Sequence, residues 1–182
     1  MNASRGFALR RLVFSALFIA FGLVVPQAFH ALGMGGSIFL PMHIPVLIGG
    51  LVMGPVPGLI VGAAAPLLSS VLTGMPPLNS PIVFLMTLEL AAYGLVAGGL
   101  MRWRGNLMLS LVGAMLAGRV VLGLGVALVR LFLPFPGTPV AYVLGSLVSG
   151  LPGLAIQLVL VPLVSRVLLQ TPVGLVLRES RS

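Results

Sequence analysis

The stretch "FLPMHIPVLIGGLVMGPVPGLIVG" runs from Phe39 to Gly62. It is almost wholly apolar, yet it holds four prolines, five glycines and one of the chain's two histidines, His43. A long apolar run reads as membrane-embedded, whereas proline and glycine interrupt helices. At ~1.5 Å per residue the piece Pro41–Met53 reaches only about 20 Å. That is too short to cross ~30 Å of hydrocarbon as a straight helix exposed to lipid. Irregular backbone at membrane depth is tolerated only where it is buried in protein or faces a cavity. The breakers therefore predict a fold-back, "ALGMGGSIFLPMHIP", that caps a pocket and places His43 at its rim.

The rest of the chain supports a membrane setting. Of its 182 residues 59% are hydrophobic and 7% charged, against about 25% charged in a soluble domain. The length suits one domain, residues 1–182. Cysteine is absent, so no disulfide or thiolate chemistry is available. All ten basic residues are arginine, and the acids are Glu89 and Glu179. The arginines stand singly between apolar segments and form no basic stripe, which argues against a nucleic-acid partner. The start, with Arg5, Arg10 and Arg11 before an apolar run, imitates a secretory signal. No small-residue cleavage site follows it, so it is read as a first span.

Six spans are expected, near Phe7–Ala28, Pro41–Met53, Pro57–Leu72, Pro81–Met101, Leu107–Leu133 and Tyr142–Leu169. The turn "GPVPG" separates the second from the third. With six crossings, Arg5, Arg10, Arg11, Arg102, Arg104, Arg166, Arg178 and Arg181 fall on one side, and the connections on the other side carry no Arg, Lys, Asp or Glu. By the positive-inside tendency the arginine side is cytoplasmic, with both termini there. The predicted class is an all-α membrane protein of six transmembrane helices, with a short second helix and outer loops capping a ligand pocket.

Few polar residues remain to do chemistry. Glu89 lies eight residues past Pro81, about 12 Å below the outer end of its span. Arg119 lies twelve residues past Leu107, which puts it at about the same depth. A charge at that depth costs at least a few kcal/mol unless paired. An internal ion pair and a role in a pocket floor are both open and are compatible. Gln157 sits at a similar depth on the sixth span. A second breaker cluster, "TGMPPLNSP", lies on the same outer face and brings Asn79, whose amide donates and accepts. Either loop alone also reads as an ordinary interfacial connection, with His43 and Asn79 capping helix ends. Arg130, near the outer end of its span, either snorkels to the interface or lines the pocket. Ala16 and Ala20 share one face of the first helix, a spacing that lets helices approach closely in lipid. No phosphate-binding glycine loop, metal-ligand cluster or activated nucleophile is present in the sequence. The chain is read as a non-enzyme with no metal and no cofactor.

"FLPMHIPVLIGGLVMGPVPGLIVGAAAPLLSSVLTGMPPLNSP", followed by "LELAAYGLVAGGL", resembles the substrate-binding S component of energy-coupling factor (ECF) vitamin transporters. The resemblance is close over Leu40–Leu100, and the six-span layout extends it to nearly the whole chain. It implies a small six-helix protein in the prokaryotic cytoplasmic membrane. Such a protein binds a vitamin from outside and works with a transmembrane T component and two ATPases. It implies that Ala16 and Ala20 match an AxxxA motif contacting the T component. It also implies that outer loops cover the ligand and that the whole component topples in the bilayer. The branch is similar to carriers of a cobalamin precursor (dimethylbenzimidazole or its riboside), with pantothenate ranked second. Two other classes stay open: a self-sufficient proton-coupled carrier using Glu89, and a non-transport membrane assembly subunit.

Overall fold

The computed structural model describes residues 3–33, 36–171 and 174, with side chains from residue 9 onward. Arg178, Glu179, Arg181 and the side chain of Arg5 lie outside the described residues. The described chain folds into α1 (Ala3–Ala31), α2 (Gly36–Phe39), α3 (His43–Met53), α4 (Pro55–Thr73), α5 (Pro81–Arg104), α6 (Leu107–Phe132), α7 (Pro139–Ser149) and α8 (Leu151–Gln170), with no strand among the described residues. Among the described residues six stretches are long and apolar enough to cross a membrane: Leu9–Ala31, Gly36–Met53, α4, α5, α6 and α8.

Helix ends follow local chemistry. Ser80, Asn106 and Thr138 cap α5, α6 and α7 by accepting from the backbone N–H groups of Ile82, Leu109 and Ala141. The turn between α3 and α4 is the single residue Gly54, at φ 103°, a conformation that glycine adopts without a Cβ clash. Trp103 is exposed beside Arg104, whose guanidinium lies 4.1 Å from its ring centre. An amphipathic ring next to a cation suits the membrane–water boundary.

The short second span is explained by its place. Ten of the 11 residues of α3 are buried, and the helix packs against α1, α4, α5, α6 and α8. A helix that is apolar all round is one that other helices surround. Before it the chain folds back as expected. One turn of α2 ends at Leu40, at φ 49°, and α3 starts at His43.

Backbones meet where α3, α4 and α5 cross. Gly58 of α4 faces Gly94 of α5, Gly62 faces the Leu90 backbone, and Gly98 faces Gly54 at the start of α4. A Cβ on Gly50 or Gly58 would strike the Gly94 carbonyl, one on Gly62 the Leu90 carbonyl, and one on Gly98 the backbone of Gly54. This small-xxx-small pairing is the close-approach geometry that lipid-embedded helices use. The same four-residue spacing of small residues occurs at Ala16 and Ala20 of α1.

One expectation is corrected. Tyr142–Leu169 is not a single sixth helix: it is broken at Gly150 into α7 and α8. Pro152 has no N–H to donate and its ring crowds the carbonyl four residues earlier. Gly153 removes the side chain that would otherwise meet the Phe39 carbonyl at 2.5 Å, so the end of α2 seats on the start of α8.

The crossing makes a stability prediction. Gly94→Ala should destabilise the protein by at least ~1–3 kcal/mol, because the added methyl must force two backbones apart. Gly99→Ala, one turn on and with open space beside it, should be neutral or stabilising by up to ~1 kcal/mol. Thermal unfolding of the two purified variants in detergent measures the difference.

Candidate functional site

A cavity of about 660 Å³ opens at the end of the bundle assigned to the outside. Its wall comes from the C-terminal end of α1, the α2–α3 fold-back, the loop after α4, the first turns of α5, the middle of α6 and one face of α7. Both breaker-rich segments therefore reach it. The first contributes Gly36, Ser37, Leu40, Pro41, Met42 and His43, and the second Gly74, Met75, Pro76 and Pro77. The second loop is tied to α4 by side chains. Ser69 Oγ donates to the Met75 carbonyl at 2.7 Å, Ser70 Oγ donates to the Pro76 carbonyl, and Thr73 Oγ1 donates back to the Ser69 carbonyl at 2.7 Å.

The matched depths of Glu89 and Arg119 correspond to contact. Arg119 Nη1 lies 2.9 Å from Glu89 Oε1, joining α6 to α5, and both side chains are nearly buried. The same nitrogen donates to Ser146 Oγ of α7 at 3.2 Å. Arg119 Nε and Nη2 are buried with no hydrogen-bond partner. Tyr93, one turn past Glu89, lays its ring on Gly118, where a Cβ would come within 2.9 Å of it. Gly118 thus admits the ring beside the arginine that follows it. His43 meets Tyr93 edge to face at 5.1 Å between ring centres. His43 is 3% exposed, deeper than the rim position expected of it, and neither ring nitrogen has a hydrogen-bond partner.

The structure separates the expected residues. His43, Glu89 and Arg119 line the cavity. Asn79 does not: it is exposed, and Met75, Pro76 and Pro77 of the same loop take the wall. Its position just before the Ser80 cap of α5 leaves its side chain at the surface. Gln157 is fully buried on α8 but is absent from the cavity wall, and both its amide atoms lack partners. Arg130 is exposed and lines a separate surface groove with Leu133–Pro136, as a snorkelling residue does. Ala16 and Ala20 are exposed on α1, opposite the buried Phe18 and Gly22.

Gln27, His30, Tyr142, Ser146 and Ser149 also line the cavity and were not foreseen. A signal existed for three of them. Tyr142, Ser146 and Ser149 are spaced four and three apart, one polar stripe on an otherwise apolar helix. An apolar wall with a few convergent polar groups is the usual form of a small-molecule site.

A family model, ECF transporter, substrate-specific component, matches residues 10–165. The chain belongs to that family. No curated protein and no solved structure matches it. Family membership makes this S component a transporter subunit, and its six apolar spans make it a multi-pass membrane protein.

The pair at the cavity wall has a measurable signature. Removing either charge alone leaves the other buried and unpaired, at a cost of ~3–5 kcal/mol. Glu89→Gln and Arg119→Gln together should cost less than the sum of the two, with a coupling energy of at least ~1 kcal/mol in a double-mutant cycle. Additive losses in detergent unfolding would show that the two side chains act separately.

Proposed function

We propose that this S component captures a water-soluble vitamin or vitamin precursor at the outer face of the prokaryotic cytoplasmic membrane. It then delivers that ligand inward together with an ECF T component and two ATPase subunits. The ligand ranked first is a neutral heterocycle, the cobalamin precursor dimethylbenzimidazole or its riboside, and pantothenate is second. One observation carries that order: the arginine at the cavity wall already has a carboxylate partner at 2.9 Å. The cavity therefore offers hydrogen-bond donors and apolar surface without a spare positive charge. Its volume, about 660 Å³, falls within the usual ~300–1,000 Å³ of ligand sites. His43 and Arg119 are the residues read as contacting the ligand.

We read the lipid-facing side of α1 as the docking surface for the T component. Ala16 and Ala20 are exposed there, flanked by exposed Leu9, Val13, Leu17 and Val24. That face gives a partner helix close access between larger apolar side chains.

Mass spectrometry of small molecules copurifying with the protein tests the ligand directly. Recovery of a carboxylate vitamin in place of a neutral heterocycle would reverse the ranking. His43→Ala should weaken binding of the recovered molecule by about tenfold, the value of one hydrogen bond in a desolvated site. Asn79→Ala should leave it within about twofold, as surface substitutions do. Ala16→Trp and Ala20→Trp should spare binding and abolish ATP-driven uptake by the assembled transporter. Normal uptake with both tryptophans present would remove α1 as the docking face.

A further inference from the structure

We infer that Glu89 is a specificity-determining residue: by occupying Arg119 it sets the ligand charge that the cavity accepts. The inference rests on the reading that this cavity is the ligand site. It concerns which chemistry the site rejects, and by which residue.

Glu89 and Arg119 are the two residues of opposite formal charge on the cavity wall, and the other polar groups there are imidazole, amide, phenol and hydroxyl. Arg119 spends one nitrogen on Glu89 and Ser146 and keeps Nε and Nη2 unpartnered. A guanidinium has five N–H donors in a fixed fork. The charge of the fork is matched by Glu89 while part of its donor capacity is unused. A neutral ligand, such as an aromatic ring bearing a ring nitrogen, a carbonyl or an amide, can lie against this paired guanidinium without burying any net charge. A carboxylate would bring a second anion to one cation, and one negative charge would be left uncompensated in a water-poor site.

Glu89 need not touch the ligand for this. It acts through Arg119, as a positioning and charge-cancelling residue. Replacing it with glutamine keeps the shape and removes the charge, so Arg119 becomes a cation in want of a counter-ion. Bidentate pairing with a carboxylate is what a guanidinium fork favours. The preference of the cavity should then invert.

Benzamide and benzoate make the test independent of the true vitamin, since they match in shape and differ by one charge. Binding is measured by titration calorimetry on the purified full-length protein, with dimethylbenzimidazole in parallel. The wild type should bind benzamide at least about tenfold more tightly than benzoate. Glu89→Gln should reverse the order, with benzoate at least about tenfold tighter, and Glu89→Asp should keep the wild-type order. Adding Arg119→Gln to Glu89→Gln should abolish the benzoate binding gained. A purely structural role for Glu89 predicts loss of both ligands and no gain of an anion. Benzoate binding the wild type as tightly as benzamide overturns the inference, even if Glu89→Gln does not fold. So does a wild type that binds no benzamide, or a folded Glu89→Gln that binds no benzoate. If the switch occurs while dimethylbenzimidazole fails to bind, the heterocycle reading falls and the charge filter stands.

Discussion

Lipid tails are as apolar as leucine, so helices in a bilayer gain little by hiding apolar surface from their solvent. Their association must come from shape and from the few polar contacts available. In this chain shape is supplied where Gly58 of α4 meets Gly94 of α5, with Gly62 on the Leu90 backbone, Gly98 on that of Gly54, and Gly50 of α3 at the same crossing. Backbone rests on backbone there, so the helices have little room to slide or rotate. The position of α5 is thereby set, and with it the direction of Tyr93, the residue next to Gly94, and of Glu89, about one turn further along the same helix. Arg119 can meet Glu89 because Gly118 beside it accepts the Tyr93 ring. The polar site is a consequence of the glycine crossing, although no glycine of that crossing lines the cavity.

The bundle is divided along its axis. Toward the end that carries Arg102 and Arg104 the core is a continuous apolar cluster that includes Leu51, Val52, Met53, Ala97, Met101, Leu107 and Leu111. Toward the outer end the same helices turn polar inside, with His43, Glu89 and Arg119 around a cavity. Polar atoms that are buried without partners cost stability unless something arrives to satisfy them. Here such atoms occur on His43 and Arg119 at the cavity wall. They lie behind the cavity surface, so the residues that carry them are held by packing and by the Glu89 pair. Ser69 and Ser70 hold the Met75–Pro76 loop by its carbonyls, so one side of the cavity wall is anchored to α4.

Much of the architecture was legible because membrane insertion imposes simple rules. Length, apolarity and arginine sidedness were enough to place five of the spans and to explain why Pro41–Met53 is short. The matched depths of Glu89 and Arg119 also followed from helix rise alone. What was not legible depended on rotation and on local breaks. Asn79 shares a loop with cavity-lining residues, but which member of a loop points inward is a matter of tertiary packing. Gln157 has the right depth and the wrong azimuth. The break at Gly150 was written in "GLPG", yet uninterrupted hydropathy concealed it. Once that break was missed, Tyr142, Ser146 and Ser149 read as scattered polar residues and not as the inner face of α7.

The charge pattern joins the cavity to the surface around it. Glu89 and Arg119 cancel inside the cavity. The described outer connections carry no charged side chain, and the undescribed residues between α1 and α2 are methionine and glycine. Arginine sidedness accounts for missing cations at that end, but not for missing acids, since acids contribute little to orientation. Their absence fits a second constraint. An acid at the outer rim would compete with Glu89 for Arg119, or would stand as a lone charge beside lipid at a cost of ~2–4 kcal/mol if it sank toward the hydrocarbon. Arg130, the exposed cation at this end, lies outside the cavity on a long side chain that can reach water. The outer part of the molecule thus presents a neutral rim around a neutral cavity. Within the low dielectric of the bundle, the arginine stays charged at little cost because Glu89 lies 2.9 Å from it.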